Sequence, residues 1–204
     1  MRIKNQGNQM SEQIRDCDNK TDEELVLLTV ENPEFYFCLM ARYEDKLLRY
    51  VGRISSVGKE TAEDLVQEIF IKAFENINDF DTKLKFSSWI YRIARNHVVS
   101  YWRKNKGEAQ VFSWDDDDKF KNMFGSGEDL EKEIGTRLIV EKVRTIIGSL
   151  KPAYQEVMLL RYLEDKSYED IGDILKKPVG TVGTLLSEAK KQLREKIKKE
   201  NIKL

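Results

Sequence analysis

Apolar residues recur every three or four positions from Thr21 to Lys106 and again from Ile134 to Ile197, but not between Gly107 and Glu133. This break constrains the chain more than any other feature. A sustained 3.6-residue rhythm calls for amphipathic helices that bury one face, so two separate helical units must be joined by a segment with no face to bury. Three prolines and eleven glycines in 204 residues leave the helices largely uninterrupted. The expected fold is all-α: two small helical domains joined by an acidic flexible linker, the C-terminal one a helix-turn-helix. The divisions fall at a flexible tail (1–20), a first domain (21–106), the linker (107–133) and a second domain (134–204).

Local signals place the helices. Thr21-Asp-Glu-Glu24 is a capping box that opens a first helix. Pro33 suits a first helical turn and starts a long second helix, whose end Gly52 and Gly58 bracket. Thr61 opens a third, in which Leu65, Ile69, Phe70, Ala73, Phe74 and Ile77 keep helical spacing while Asp64, Gln67, Glu68 and Lys72 face elsewhere. Beyond the linker, Pro152 begins a helix and Ser167-Tyr-Glu-Asp170 caps the next. Pro178-Val179-Gly180 turns into a last helix with Val182, Leu186, Ala189, Leu193 and Ile197 inward.

Several function classes are excluded early. No apolar run reaches the roughly 18 residues that span a bilayer, and the N-terminus lacks the apolar core of a signal peptide, so a cytoplasmic protein without membrane insertion is expected. Cys17 and Cys38 have neither the number nor the spacing of a disulfide framework or zinc site, and are expected to be reduced and without a role. His97, the one histidine, falls on the apolar side of its helix as a core residue, which leaves no imidazole for triad or multi-histidine metal chemistry. No catalytic residue, metal or cofactor is expected. The consecutive aspartates Asp115 to Asp118 lack the spaced ligands and turn glycine of a calcium loop.

The net charge is −1, yet Lys85 to Lys106 holds six Lys or Arg, five Phe, Trp or Tyr, and no acid. At about 100° per residue this fourth helix divides into a core stripe of Phe86, Ile90, Ile93, Ala94, His97 and Tyr101 and an opposite ladder of Ser88, Arg92, Arg95, Asn96, Val99 and Arg103. Trp89, Tyr91 and Trp102 lie outside the stripe. Duplex phosphates attract cations without needing rings, whereas unstacked bases gain about 1 to 3 kcal/mol each on an aromatic platform. The stretch is therefore suited to hold opened DNA. In the second domain, Thr184, Ser187, Glu188 and Lys191 point outward from the last helix, and Lys190 to Leu204 carries seven bases against two acids. That surface can track phosphate, or simply be a solvated helix end with cations at its C-terminus.

Asp64-Leu-Val-Gln67-Glu68-Ile-Phe-Ile-Lys-Ala-Phe, Phe80-Asp81, Phe86-Ser-Ser-Trp89-Ile-Tyr-Arg92-Ile-Ala-Arg-Asn96 and Pro178-Val-Gly180-Thr181-Val182 resemble bacterial RNA polymerase sigma factors of the extracytoplasmic-function group of the sigma-70 family. The likeness runs from about Glu34 to Lys106 and from about Ile134 to Lys198. It implies a sigma region 2 that binds core RNA polymerase and opens the minus ten element, and a sigma region 4 that reads the minus thirty-five element. Asp64, Gln67 and Glu68 would meet the beta-prime clamp. The loop from Asn78 to Lys85 with the start of the fourth helix would form a pocket for a flipped base. Asn78, Lys85, Ser88, Trp89, Arg92, Arg95 and Asn96 would contact minus ten DNA. Thr181, Thr184, Ser187, Lys190, Lys191 and Arg194 would contact minus thirty-five DNA, although Gly183, Leu185 and Glu188 stand where many relatives have lysine or arginine. The beta flap and, as in many relatives, an anti-sigma factor are the further partners implied.

The linker carries nine acids against three lysines. It reads either as a nucleic-acid mimic passing through basic polymerase channels or as a solvated spacer. Two other functions compete with the sigma reading. A helix-turn-helix regulator would bind duplex operators as a dimer. A nuclease would need clustered acidic ligands, for which only Asp79 and Asp81 lie near the basic surface.

Overall fold

The structure is a computed structural model, and it describes residues 17–105, 112 and 141–202. These form helices and no strand. In the N-terminal unit, α1 (Asp22–Glu31) and a short 3-10 turn (Pro33–Phe35) lead into α2 (Tyr36–Ser55), α3 (Lys59–Glu75), a second 3-10 turn (Ile77–Asp79) and α4 (Phe86–Lys104). The C-terminal unit comprises α5, described over 141–148, then α6 (Pro152–Tyr162), α7 (Tyr168–Leu175) and α8 (Val179–Lys199). The linker expected at 107–133, including Asp115 to Asp118, lies outside the described residues apart from Phe112, which is buried.

Both capping boxes form. Thr21 Oγ1 accepts from Glu24 N while Glu24 Oε2 accepts from Thr21 N, and Ser167 and Asp170 repeat the exchange at α7. Pro152 occupies a first helical position, where its missing N–H leaves no bond broken. Two helix boundaries differ from expectation. The second helix runs through Gly52 and ends at Ser56, which takes the left-handed conformation at φ 50° without glycine, and the third begins at Lys59 rather than Thr61. Gly58 provides only an extended residue ahead of it.

The N-terminal core is built on α2, where Leu39, Leu47, Tyr50, Val51 and Ile54 are fully buried against α3 and α4. The C-terminal core holds Val157, Leu159, Leu160, Ile171, Val182, Leu186 and Ala189. One glycine is sterically required there: a Cβ on Gly172 would lie 2.9 Å from the Lys177 carbonyl oxygen, in the tight turn between α7 and α8.

Cys17 and Cys38 are not the reduced bystanders expected: a disulfide joins them, with Cα atoms 5.9 Å apart. Their separation of 21 residues carries no sign of this, because it is the return of α2 alongside the start of the chain that brings them together. Arg42 on α2 fixes that return, donating to the carbonyls of Cys17 and Lys20 and pairing with Asp22 at 2.6 Å. The last residues of the stretch expected to be a loose tail are thus tied down.

Candidate nucleic-acid interface

The loop before α4 is organised by rings. Phe80 packs against Phe86 and Trp89 at centroid distances of 5.8 and 5.3 Å, and Tyr43 meets the other side of Phe86 at 5.4 Å. Asp81 Oδ1 accepts from Lys83 N and turns the loop. The exposed N-terminus of α4 is capped from far away in sequence, by Glu23 Oε1 accepting from Phe86 N at 2.9 Å. A carboxylate placed there satisfies an otherwise unpaired amide and the helix dipole together.

Two of the three rings expected outside the core stripe are buried. Trp89 is 8% exposed within the phenylalanine cluster, and Tyr91 is 1% exposed against Tyr50, with centroids 4.8 Å apart. Trp102 is half-buried against Tyr101. The helical wheel misplaces Trp89 and Tyr91 because α4 is covered on more than one side, by α2 and α3 and by α7. Phe74, expected in the core, is 40% exposed.

A cavity of about 560 Å³ opens between α3 and α4. Lys72, Asn76 and Asp79 form one wall, and Trp89, Ile93, Asn96, His97 and Ser100 the other. It joins two residues singled out in the sequence for DNA, Trp89 and Asn96, to several that were not. Lys72 and Asn76 stand four positions apart on one side of α3, a spacing that could have flagged them had the packing of α3 on α4 been known.

His97 is buried as expected, but it is also a link. Its Nδ1 lies 2.5 Å from Lys72 Nζ, so the neutral ring accepts there and carries its proton on Nε2. That Nε2 sits 2.9 Å from Glu68 Oε2, too poorly aligned for a well-formed hydrogen bond. Burial, followed by the Lys72 ammonium, holds the His97 pKa below the ordinary 6.5.

The remaining minus ten candidates divide into two groups. Asn78 and Asn96 are exposed and Arg92 is half-exposed. Lys85, Ser88 and Arg95 instead meet the C-terminal unit. Lys85 Nζ lies 2.9 Å from Asp170 Oδ1, and Ser88 Oγ donates to the same oxygen at 3.3 Å. Arg95 grips Glu156 with two bonds, Nε to Oε1 at 2.6 Å and a terminal nitrogen to Oε2 at 3.1 Å. Nearby, Tyr91 donates to Glu164 Oε2 at 2.8 Å, Arg53 pairs with Glu164, and Lys166 lies 3.8 Å above the Tyr91 ring. Burial works against the Asp170 carboxylate, but hydrogen bonds from Lys85 and Ser167 outweigh it and hold its pKa below 3.8.

Asp64, Gln67 and Glu68 are all exposed along α3. On α8, Thr181, Thr184, Ser187, Lys191 and Arg194 are exposed, while Lys190 is half-buried with its ammonium 5.6 Å from the Tyr162 ring centre. The helix-turn-helix thus presents a short polar and cationic row, with Thr184 Oγ1 donating back to the Gly180 carbonyl. Among the described residues no group of His, Cys, Asp or Glu could hold a metal ion, and no helix is long and apolar enough to cross a membrane.

A helical unit with an aromatic and cationic helix, followed by a helix-turn-helix unit, is the layout of a polymerase specificity subunit. Residues 39–108 match the family Sigma-70 region 2, and residues 141–193 match Sigma-70, region 4. The chain belongs to the sigma-70 family, in its extracytoplasmic-function group, and directs RNA polymerase to promoters. The extracytoplasmic-function sigma factor SigW of Bacillus subtilis is 32% identical over 160 residues, covering 76% of this chain and 85% of that one. The sigma-E factor of Escherichia coli K12 is 32% identical over 200 residues, 92% of this chain and 97% of that one. Among solved structures, CnrH in complex with the cytosolic domain of CnrY shares the fold at a TM-score of 0.62 and 20% identity, covering 88% of this chain and 98% of its own. The sigma factor RpoE of Bartonella quintana, in complex with the anti-sigma factor NepR, does so at 0.55 and 22%, covering 78% and 94%. Members of the family are sigma factors, not catalytic enzymes. A dimeric helix-turn-helix regulator is not favoured, since it has no place for a region 2.

Proposed function

We propose that the two faces of the α3–α4 pair divide the work of initiation: α3 docks core polymerase and α4 holds the opened minus ten strand. The observation that carries this reading is the cavity between them, which gathers an aromatic wall at Trp89, amides at Asn76 and Asn96, a cation at Lys72 and a carboxylate at Asp79. An unstacked base needs a stacking surface and groups that both donate and accept hydrogen bonds at its edge, and these residues supply both. Arg92, with Arg95 and Lys85 once freed of their carboxylates, would track the phosphates.

On the polymerase side, Asp64, Gln67 and Glu68 offer an exposed acidic row to the beta-prime clamp, and Ile71, 57% exposed one turn beyond Gln67, adds apolar area to it. Thr181, Thr184, Ser187, Lys190, Lys191 and Arg194 would lie along the minus thirty-five groove, with the beta flap holding the C-terminal unit. Residues 21–106 and 134–204 act as the two functional regions, joined by 107–133. The protein works in the cytoplasm without catalysis of its own, and an anti-sigma factor, such as the one bound by the similar RpoE of Bartonella quintana, is a natural partner.

Run-off transcription tests the reading. The purified chain is added to bacterial core polymerase on a pool of genomic promoter fragments. Discrete transcripts that require the chain are expected. Their absence, together with failure to bind core while duplex binding persists, would overturn the assignment.

A further inference from the structure

Three carboxylates of the C-terminal unit end on the face that the proposed function gives to DNA. Asp170 takes Lys85 and Ser88, Glu156 takes Arg95, and Glu164 takes Tyr91 and the neighbouring Arg53. None is a casual surface pair: Glu156 is 5% exposed, the Glu164 side chain 5% and Asp170 9%. The two-bond grip of Arg95 on Glu156 is also the geometry by which a guanidinium binds a phosphate. One guanidinium cannot serve both.

Charge complementarity runs the length of the seam. The cations and donors lie on α2 and α4; the acids lie on α6, on the turn after it and at the start of α7. Lys166, seated on the Tyr91 ring from the C-terminal side, covers a further ring of the same helix. The closed arrangement also contains a penalty. The Tyr50 hydroxyl is buried beside this seam with no hydrogen-bond partner among the described residues, and a buried unpaired hydroxyl favours any state that lets water reach it. The seam is thus held by charge more than by apolar packing, and what charge holds, competing charge can open.

We propose that Glu156, Glu164 and Asp170 act as an internal mimic of the DNA backbone, latching the C-terminal unit over α4 in the free factor, so that this closed state and minus ten strand binding exclude each other. The latch rests on the assignment of α4 to the opened strand. It leaves Thr181, Thr184, Ser187, Lys191 and Arg194 exposed, so closure masks one DNA surface and spares the other.

The test uses the full chain carrying Glu156→Gln, Glu164→Gln and Asp170→Asn together, changes that keep side-chain shape and, at position 170, a capping oxygen. Small-angle scattering at 50 mM NaCl should give a larger radius of gyration than the parent. Affinity for a labelled mixed-sequence 12-nucleotide single strand should rise on the order of five- to tenfold, the lower range of coupling between sites. A second pair guards against misfolding: Glu156→Arg should open the chain, and adding Arg95→Glu should close it again by scattering. Unchanged dimensions in the triple variant, with its helical circular dichroism intact, would overturn the latch, as would opening with no gain in strand affinity. Run-off transcription by the parent chain separates the two ideas. A parent that transcribes but shows no latch loses only this inference, and a parent that binds no core polymerase loses the functional assignment itself.

Discussion

Lys72 and His97 meet 2.5 Å apart between α3 and α4, the ammonium donating to Nδ1 of a buried, neutral imidazole. Charging that ring would place two cations in contact. The His97 pKa is therefore lower in the folded chain than the ordinary 6.5 of an unfolded one. A lowered value means that the unfolded state binds the proton first as pH falls. Stability is fully present above pH 6.5 and declines as pH drops from there through the folded value, with a slope of at most about 1.4 kcal/mol per pH unit for one proton. Melting temperatures from pH 7.5 to 5 should show this decline, and His97→Gln should flatten it. An equal decline in the variant would assign the effect to other groups.

Glu68→Lys should weaken binding to core polymerase at least tenfold while leaving strand opening per bound complex unchanged. Trp89 needs a gentler change than alanine. It is packed among Phe80 and Phe86, so Trp89→Ala would destabilise the fold by about 3 kcal/mol and confuse the readout. Trp89→Phe should instead reduce permanganate-detected opening without changing core affinity. Equal loss of core affinity in both variants would show that α3 and α4 do not divide the work.

Arg92 is half-exposed beside the cavity, whereas Arg95 is engaged by Glu156. Arg92→Ala should lower the salt dependence of promoter binding by the polymerase complex by about 0.7 in log–log slope, the value for one phosphate on a single strand. An unchanged slope, measured between 50 and 300 mM salt, would remove Arg92 from the phosphate contacts.

The Cys17–Cys38 bridge closes a loop of 21 residues' separation and should stabilise the docked start of the chain by about 3 kcal/mol on loop-entropy grounds. Peptide mapping without reductant should recover the linked pair. Cys17→Ser should expose the segment ahead of α1 to protease well before the helical core melts. Free thiols at both positions in freshly purified protein would count against the bridge.

Gly172→Ala should destabilise the C-terminal unit by about 1 to 3 kcal/mol, because the new methyl group would press on a backbone oxygen that cannot yield as a side chain would. Gly180→Ala, where a Cβ meets nothing within 4 Å, is the control and should be neutral or slightly stabilising in thermal melts.

Local rules determined much of this protein directly from its sequence. Thr21 with Glu24 and Ser167 with Asp170 specify helix starts because a cap is a contact over three residues, and the inward row Val182, Leu186, Ala189, Leu193 and Ile197 is an angular consequence of helical pitch. The family, and with it the direction of the polymerase to promoters, could be read from motifs in order along the chain. What needed the tertiary structure was every fact set by more than one helix. The wheel placed Trp89 and Tyr91 outside the core because it allows a helix one buried side, and α4 has more than one. The disulfide, the Lys72–His97 contact and the carboxylates laid over Lys85, Ser88 and Arg95 join residues from 21 to 82 positions apart. Periodicity records which residues avoid water. Which partner they meet in doing so is decided only when the helices pack.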